Sequence, residues 1–152
     1  MLWPAKIDLT KQVYITNKDF NMSRRDSIFD NLPDLIEDSD APWDLVLSED
    51  YHVKVFNDKY PCTDGHLLFV PRYNTIGVLI DAFEDAVRYG KKMVELGQWD
   101  GFNIGMNYGE ASGQTIRWPH IHLIPRRKGD VKDPVGGVRN TIPGKGNYKK
   151  AK

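Results

Sequence analysis

Apolar residues are concentrated in three short stretches in the first half of the chain. These stretches are residues 44–48, 51–56 and 66–71. Short runs rich in aliphatic and β-branched residues, bounded by polar residues, predict three β-strands. Only Glu49 and Asp50 separate the first two stretches, a link short enough for a hairpin. The third stretch is apolar on both faces, which is typical of a strand in the middle of a sheet.

A change of period marks the next element, because apolar residues recur every three to four positions over residues 78–96. This spacing predicts an amphipathic helix. Acidic residues come early and basic residues late, as the helix dipole favours, and Gly97 supplies a stop. The predicted core face contains Leu79, Phe83, Ala86, Val87, Gly90 and Val94.

Two further strands complete the predicted domain, one over residues 102–107 and one at the histidines near residue 120. We therefore expect an α+β fold, a meandering antiparallel sheet of about five strands with one long helix. Residues 1–42 are predicted to be an N-terminal extension that contains a short helix candidate near residues 23–32. Residues 43–152 are predicted to form the folded domain, including a C-terminal tail without clear periodicity.

Composition narrows the classes of function. The chain of 152 residues has 21 basic and 21 acidic residues, so no net charge favours bulk binding to nucleic acid or to an anionic membrane. The single cysteine, Cys62, excludes an intramolecular disulfide and a multi-cysteine zinc ribbon. We find neither a long apolar run nor a secretion signal, and therefore expect a soluble, cytoplasmic protein.

The candidate chemistry is concentrated around two histidines. His120 and His122 are two residues apart in a predicted strand, so they share one face, together with Trp118. Just upstream, the glycine-rich run 105–113 can bring backbone N–H groups close to a ligand. Imidazoles beside such a concavity suit chemistry on a phosphate. Alternatives are a solvent-facing pair without a role, and a metal site with His66 as the third ligand.

Several stretches together resemble the histidine triad (HIT) superfamily, in its branch related to Fhit and diadenosine polyphosphate hydrolases. The resemblance covers about residues 43–148. The stretches that carry it are 58–61, 65–71, 101–110, 113–115, 120–126 and several tail residues between 129 and 143. The family signature has three alternating histidines. Here it reads Trp118-Pro119-His120-Ile121-His122, so the first histidine is a tryptophan.

The resemblance implies a role for each candidate residue. His120 would be the nucleophile, His122 would donate a hydrogen bond to a phosphate oxygen, and His66 would support them from behind. Asp58 would hold the ribose hydroxyls, and the phosphate would contact Asn107, the Gly113 N–H and the Thr115 hydroxyl, with Gln114 bordering them. The Arg126-Arg127-Lys128 cluster could assist a polyphosphate. No metal or cofactor is implied.

The expected function is a nucleotide hydrolase or transferase that acts at the α-phosphorus through a covalent nucleotidyl-histidine on His120. Its substrate would be a purine nucleotide such as a dinucleoside polyphosphate or a nucleoside phosphoramidate. The resemblance also implies a homodimer. The alternative is a catalytically impaired nucleotide-binding protein, because a tryptophan cannot replace a histidine that orients the nucleophile. Loss of such a group costs about 2–4 kcal/mol of barrier at other sites.

Overall fold

The computed structural model of the protein describes residues 43–49, by their backbone, and residues 52–150. Its elements in chain order are β1 (Trp43–Glu49), β2 (Val53–Asp58), β3 (Leu67–Pro71), α1 (Ile76–Glu95), β4 (Gly101–Gly105) and β5 (Ile121–Arg126), with short 3-10 helices at Glu110–Ser112 and Gly137–Thr141. The extension and the helix predicted within residues 1–42 lie outside the described residues. No helix in the described part of the chain is long and apolar enough to cross a membrane.

The five strands form one antiparallel sheet in the order β1-β2-β3-β5-β4. The α+β prediction is therefore confirmed. The last strand in the chain, β5, is inserted between β3 and β4, where it pairs Phe69 with Ile121 and Ile104 with Leu123. This arrangement carries His122 to the interior of the sheet and leaves β4 at its edge.

Helix α1 covers one face of the sheet. It begins after Thr75, whose hydroxyl accepts a hydrogen bond from the Val78 N–H at 3.4 Å, so this residue caps the helix. Small residues on the helix let it approach closely: a Cβ at Gly90 would lie 2.8 Å from the Phe102 ring. The core on this face contains Val53, Leu67, Phe69, Ala82, Ala86, Trp99, Ile121 and Leu123.

The predicted core face of α1 was partly wrong. Phe83 and Val94 are 41% and 36% exposed, whereas Ala82 is fully buried and Met93 packs against the core. Apolar residues occupy a wider arc of the helix than the part that contacts the sheet. One half of it faces the sheet, and the other half forms an exposed stripe of Ile76, Ile80, Phe83 and Val94. The apolar pattern in the sequence does not distinguish these two halves, so the prediction combined residues of both into one face.

The histidine strand begins one residue later than the prediction required, since His120 precedes β5. Two local features explain the difference. Pro119 has no N–H to give to the neighbouring strand. The Pro71 carbonyl at the end of β3 accepts the Trp118 indole N–H at 2.8 Å instead of a backbone donor. The chain therefore enters the sheet only at Ile121.

Candidate active site

The candidate site lies on the face of the sheet opposite to α1. Cross-strand pairing aligns Phe56, Leu68, His122 and Gly105 in one row across β2, β3, β5 and β4. Residues directly opposite each other in an antiparallel sheet point to the same face. Gly105 has no side chain, and a Cβ placed there would meet nothing within 4 Å. The row therefore leaves open space on the β4 side of His122.

His120 is held by the main chain. Its Nδ1 lies 2.8 Å from the Trp118 carbonyl oxygen, and the residue is 8% exposed. A carbonyl oxygen only accepts hydrogen bonds, so Nδ1 carries the proton and donates it. In the neutral imidazole, Nε2 then keeps its lone pair. This tautomer gives His120 the form that a nucleophile requires.

Trp118 is a core residue whose indole is 8% exposed. It packs with Phe56, Leu68 and Val70, and its N–H donates to the Pro71 carbonyl. The structure therefore places this ring in the core on the histidine side of the sheet. The backbone carbonyl of residue 118, and not its side chain, contacts His120, so a residue with any side chain at this position would supply the same contact.

A buried cluster of Asp58, His66 and His122 adjoins His120. His66 Nε2 lies 3.0 Å from His122 Nδ1 and 3.5 Å from Asp58 Oδ2. The rings of His120 and His122 have centroids 5.0 Å apart. The side chains of Asp58 and His66 are 8% and 6% exposed. The structure thus brings together all three histidines that the sequence singled out, with one carboxylate.

The carboxylate of Asp58 is already engaged by protein groups. Its Oδ1 accepts the Tyr60 N–H at 2.7 Å, which caps the turn after β2, and its Oδ2 faces the two imidazoles. Asp58 therefore has a structural role in this turn. The ribose contact stays a prediction.

Burial sets the charge of the two inner imidazoles. The pKa of His122 is lowered to about 4, mainly by burial and also by the nearby His120 and His66, against the opposing effect of Asp58. Desolvation also lowers the pKa of His66. Both rings are therefore neutral at pH 7. His122 Nε2 is buried and has no hydrogen-bond partner, so this nitrogen is available for a hydrogen bond with a ligand.

The sequence analysis missed the contribution of Cys62. Its backbone N–H donates to His66 Nδ1 at 3.4 Å, and its Sγ lies 3.6 Å from the same nitrogen. Burial raises the pKa of the Cys62 thiol, so the thiolate is disfavoured. In the sequence, Cys62 and His66 are four residues apart. This separation alone does not predict that they contact each other across a turn.

The glycine-rich loop after β4 is organised by Gln114. Its side-chain oxygen accepts the Gly109 N–H at 2.8 Å, and its amide nitrogen donates to the carbonyls of Ile116 and Arg117 at 3.0 and 3.2 Å. Gly113 adopts a φ of 86°, a left-handed conformation that favours glycine, and its N–H donates to the Glu110 carbonyl at 2.9 Å. The N–H predicted to contact a phosphate therefore already has a partner within the loop.

The remaining predicted contacts lie at the margins of this loop. Asn107 is half-buried just beyond β4, and Thr115 is exposed. The arginines behind the histidines have protein partners: Arg126 binds Asp130 through Nε at 2.7 Å, and Arg127 contacts the Asp64 carbonyl at 3.1 Å. The structure therefore does not support the idea that these two guanidinium groups are free to assist a polyphosphate.

Among the described residues, one group of side chains could hold a metal ion. Asp58, His66 and His122 offer ligand atoms within 4.8 Å of one another. This set differs from the His-x-His set that the sequence suggested, because His120 is not part of it. The 3.0 Å hydrogen bond between the two imidazoles accounts for their approach without a metal.

Comparison with known proteins identifies the class. The HIT domain model matches residues 42–129, which is more than half of the chain, and the protein belongs to the HIT family. A HIT-like protein of Methanocaldococcus jannaschii is 37% identical over 91 residues, which cover 56% of this chain and 70% of that protein.

Two named relatives are enzymes. The adenosine 5′-monophosphoramidase of Saccharomyces cerevisiae is 31% identical over 84 residues, which cover 53% of each chain. The adenylylsulfatase of Arabidopsis thaliana is 32% identical over 93 residues, which cover 57% of this chain and 47% of that protein. The chain thus spans about half the length of each of these two enzymes.

Solved structures share the fold. A zinc-bound histidine triad family protein of Mycobacterium smegmatis superposes with a TM-score of 0.54 at 30% identity, over 62% of this chain and 73% of that one. A Streptococcus mutans protein superposes with a TM-score of 0.55 at 27% identity, over 70% and 74% of the two chains. Both confirm the HIT fold of the sheet and its helix.

Proposed function

We propose that this protein is a nucleotide hydrolase or transferase that acts at the α-phosphorus of a purine nucleotide through a covalent nucleotidyl-His120. One observation carries the proposal. The 2.8 Å hydrogen bond from His120 Nδ1 to the Trp118 carbonyl leaves Nε2 with its lone pair, beside a second imidazole whose Nε2 is buried without a partner. The activities named for the yeast and plant relatives support it.

Catalysis would divide one displacement into two. His120 Nε2 attacks the phosphorus and the leaving group departs. Water then attacks the phosphorus, and the N–P bond breaks to return the electron pair to His120. The His122 Nε2–H would donate to a phosphate oxygen and stabilise the charge that develops there. The ribose contact of Asp58 and the phosphate contacts of Asn107, Gly113 and Thr115 belong to the same proposal, with Gln114 shaping the loop.

The finer assignment is to the branch related to Fhit and diadenosine polyphosphate hydrolases, with Trp118 at the place of the first triad histidine. The main-chain contact to His120 supports an active enzyme, because it does not depend on the side chain at 118. The catalytically impaired nucleotide-binding protein is the alternative that a test must separate from it.

The decisive experiment is mass spectrometry of the intact and digested protein after brief incubation with diadenosine polyphosphate or adenosine 5′-phosphoramidate. We expect an adenylyl adduct on His120, with release of AMP. His120→Ala should lose the adduct and at least about a thousandfold in turnover. His52→Ala, a histidine paired with Asp81 beside the helix, is the matched control. Saturable binding without adduct or product would favour the binding protein instead.

We also propose a homodimer that buries the exposed stripe of α1. Ile76, Ile80 and Phe83 are 49%, 59% and 41% exposed on one side of the helix, and burial of these apolar side chains would favour association. Light scattering should report a dimer for the native chain and a monomer for Ile80→Glu. Glu84→Gln, on the same helix but beside the stripe, should leave the dimer intact. A native monomer would contradict the proposal.

A further inference from the structure

The cluster of Asp58, His66 and His122 has the donor atoms of a metal site. The atoms that face one another are two imidazole nitrogens and one carboxylate oxygen, which are common ligands of zinc and related divalent ions. The sheet fixes their backbone positions, because the Asp58 N–H donates to the His66 carbonyl at 3.0 Å and Leu68 pairs with His122. The fold thus brings the three ligands together before any ion binds.

The distances between these three atoms fit a single ion. His66 Nε2 lies 3.0 Å from His122 Nδ1, and Asp58 Oδ2 lies 3.5 Å from the first nitrogen and 3.9 Å from the second. The centre of a circle through three atoms at these separations lies about 2.0 Å from each of them, which is the length of a zinc bond to imidazole nitrogen or carboxylate oxygen. An ion would therefore fit between the ligands in their present positions.

The hydrogen bond between the two imidazoles does not oppose an ion, because an ion takes the place of the shared proton. The proton that His66 holds on Nε2 would move to Nδ1 of the same ring. There the Cys62 Sγ, 3.6 Å away, can accept it, in place of the long 3.4 Å hydrogen bond from the Cys62 N–H. An acceptor behind a metal-binding histidine is the usual arrangement in metal sites. His122 would keep its proton on Nε2.

His120 lies outside this set of ligands. Its Nδ1 donates to the Trp118 carbonyl at 2.8 Å, and its ring centroid is 5.0 Å from that of His122. The candidate nucleophile and the candidate ligands are thus separate groups, although they adjoin each other. Substitution of His120 can therefore distinguish this site from one built on the alternating histidines of β5 and the residue before it.

We infer that Asp58, His66 and His122 form a binding site for a divalent transition metal ion such as Zn²⁺. The inference goes beyond the proposed function, because a covalent reaction at His120 needs no ion. Three protein ligands leave the fourth position of a tetrahedral ion to water. Two imidazoles and one carboxylate also select against Mg²⁺, which prefers six oxygen ligands in an octahedron.

The experiment titrates the native protein, freed of metal by a chelator, with Co²⁺ as an optical probe. We expect a saturable complex of one ion per chain with the visible absorption of tetrahedral Co²⁺, which Zn²⁺ displaces and Mg²⁺ does not. Asp58→Asn and His66→Gln should weaken Co²⁺ binding by at least about a hundredfold. Asp58→Asn keeps an oxygen for the Tyr60 N–H, so the turn is preserved. His120→Gln and His52→Asn should bind Co²⁺ like the native protein.

Circular dichroism of each variant establishes that it is folded. Absence of a saturable complex, loss of the complex in His120→Gln, or native affinity in Asp58→Asn would each overturn the inference. X-ray absorption of the Zn²⁺ complex gives a test without substitution. Two imidazoles with oxygen ligands at about 2.0–2.2 Å would support the site, whereas three imidazoles would refute it. No step uses a nucleotide, so these outcomes are independent of the proposed function.

Discussion

The two faces of the sheet use the same strands for different purposes, and β5 shows the contrast most clearly. Ile121, Leu123 and Pro125 point towards α1 and are buried, whereas His122, Ile124 and Arg126 point the other way and are only partly buried. The helix face is closed by small residues that allow tight packing. The other face carries three imidazoles and a carboxylate with an unpartnered nitrogen among them.

The difference between the two faces shows how this fold holds its functional side chains in fixed positions. Strand alternation ties each functional side chain to a neighbour that is anchored in the helix-side core. His122 lies between Ile121 and Leu123, which are 1% and 0% exposed, so its backbone has little freedom. Packing on one face therefore positions hydrogen-bonding groups on the other.

Removal of packing on the helix face should cost the most stability. Leu123→Ala should lower the free energy of unfolding by about 2–5 kcal/mol, because it leaves a cavity beneath the helix. The neighbouring Ile124→Ala, on the opposite and less buried face, should cost about 1 kcal/mol. Chemical denaturation of both variants measures the difference. Equal losses would contradict the assignment of the two faces.

On the histidine face, stability should depend on pH through His122. Its pKa in the folded state is lowered to about 4, whereas an unfolded histidine titrates near 6.5. Between these values the unfolded chain binds a proton that the folded chain does not, so stability falls as the pH drops from 6.5 to 4. We expect a loss of roughly 2–3 kcal/mol, which then levels off.

Denaturation curves at several pH values for the native protein and for His122→Gln would isolate this contribution. The variant should lose less stability over the same pH range. His66, whose pKa burial also lowers, accounts for dependence in the same direction that persists in the variant. Identical pH profiles for the native protein and His122→Gln would show that the folded state does not disfavour the charged ring.

Close approach of α1 to the sheet should be sensitive to a single methyl group. A Cβ at Gly90 would lie 2.8 to 2.9 Å from the Phe102 ring, so Gly90→Ala should cost about 1–3 kcal/mol through overpacking. Gly77→Ala in the same helix meets nothing within 4 Å and should be neutral or stabilising by up to about 1 kcal/mol. Thermal unfolding of both variants distinguishes packing from helix propensity. A stabilised Gly90→Ala would refute the close contact.

Local patterns predicted most of the fold. Short apolar runs identified the strands, and the 3.6-residue period identified α1. The error on its core face has a physical cause: the apolar arc includes both the buried residues and the exposed stripe, and a sequence pattern does not say which half meets the sheet. Ala82 was overlooked because the predicted face was centred too far towards the exposed stripe, whereas Ala82 lies on the sheet side of the helix.

The candidate site was predictable only in part. His66, His120 and His122 could be singled out from motif and strand geometry, but the contacts among them join residues 56 positions apart. Cys62 contacts His66, and Gln114 holds the loop together, because turns of the chain bring these residues close. A hydrophobic period in the sequence does not predict how such turns close. Trp118 was interpreted through the side chain that it replaces, whereas its backbone carbonyl makes the contact with His120.

Substitution of the Trp118 side chain should have the smallest effect, because the main chain of this residue makes the contact with His120. Trp118→Phe keeps the packing of the ring but leaves the Pro71 carbonyl without its donor, which should cost about 1–2 kcal/mol of stability. Turnover should change by less than about threefold, because the Trp118 carbonyl still accepts from His120.

Trp118→His separates the two views of this position. If the family's first histidine orients the nucleophile through its side chain, this variant should gain turnover. If the main chain is sufficient, the smaller imidazole should only loosen the cluster of Phe56, Leu68 and Val70, and turnover should not rise. Steady-state kinetics beside unfolding curves decides between them. A hundredfold loss of turnover in Trp118→Phe at unchanged stability would refute the main-chain account, because the indole would then act on the reaction and not on the core.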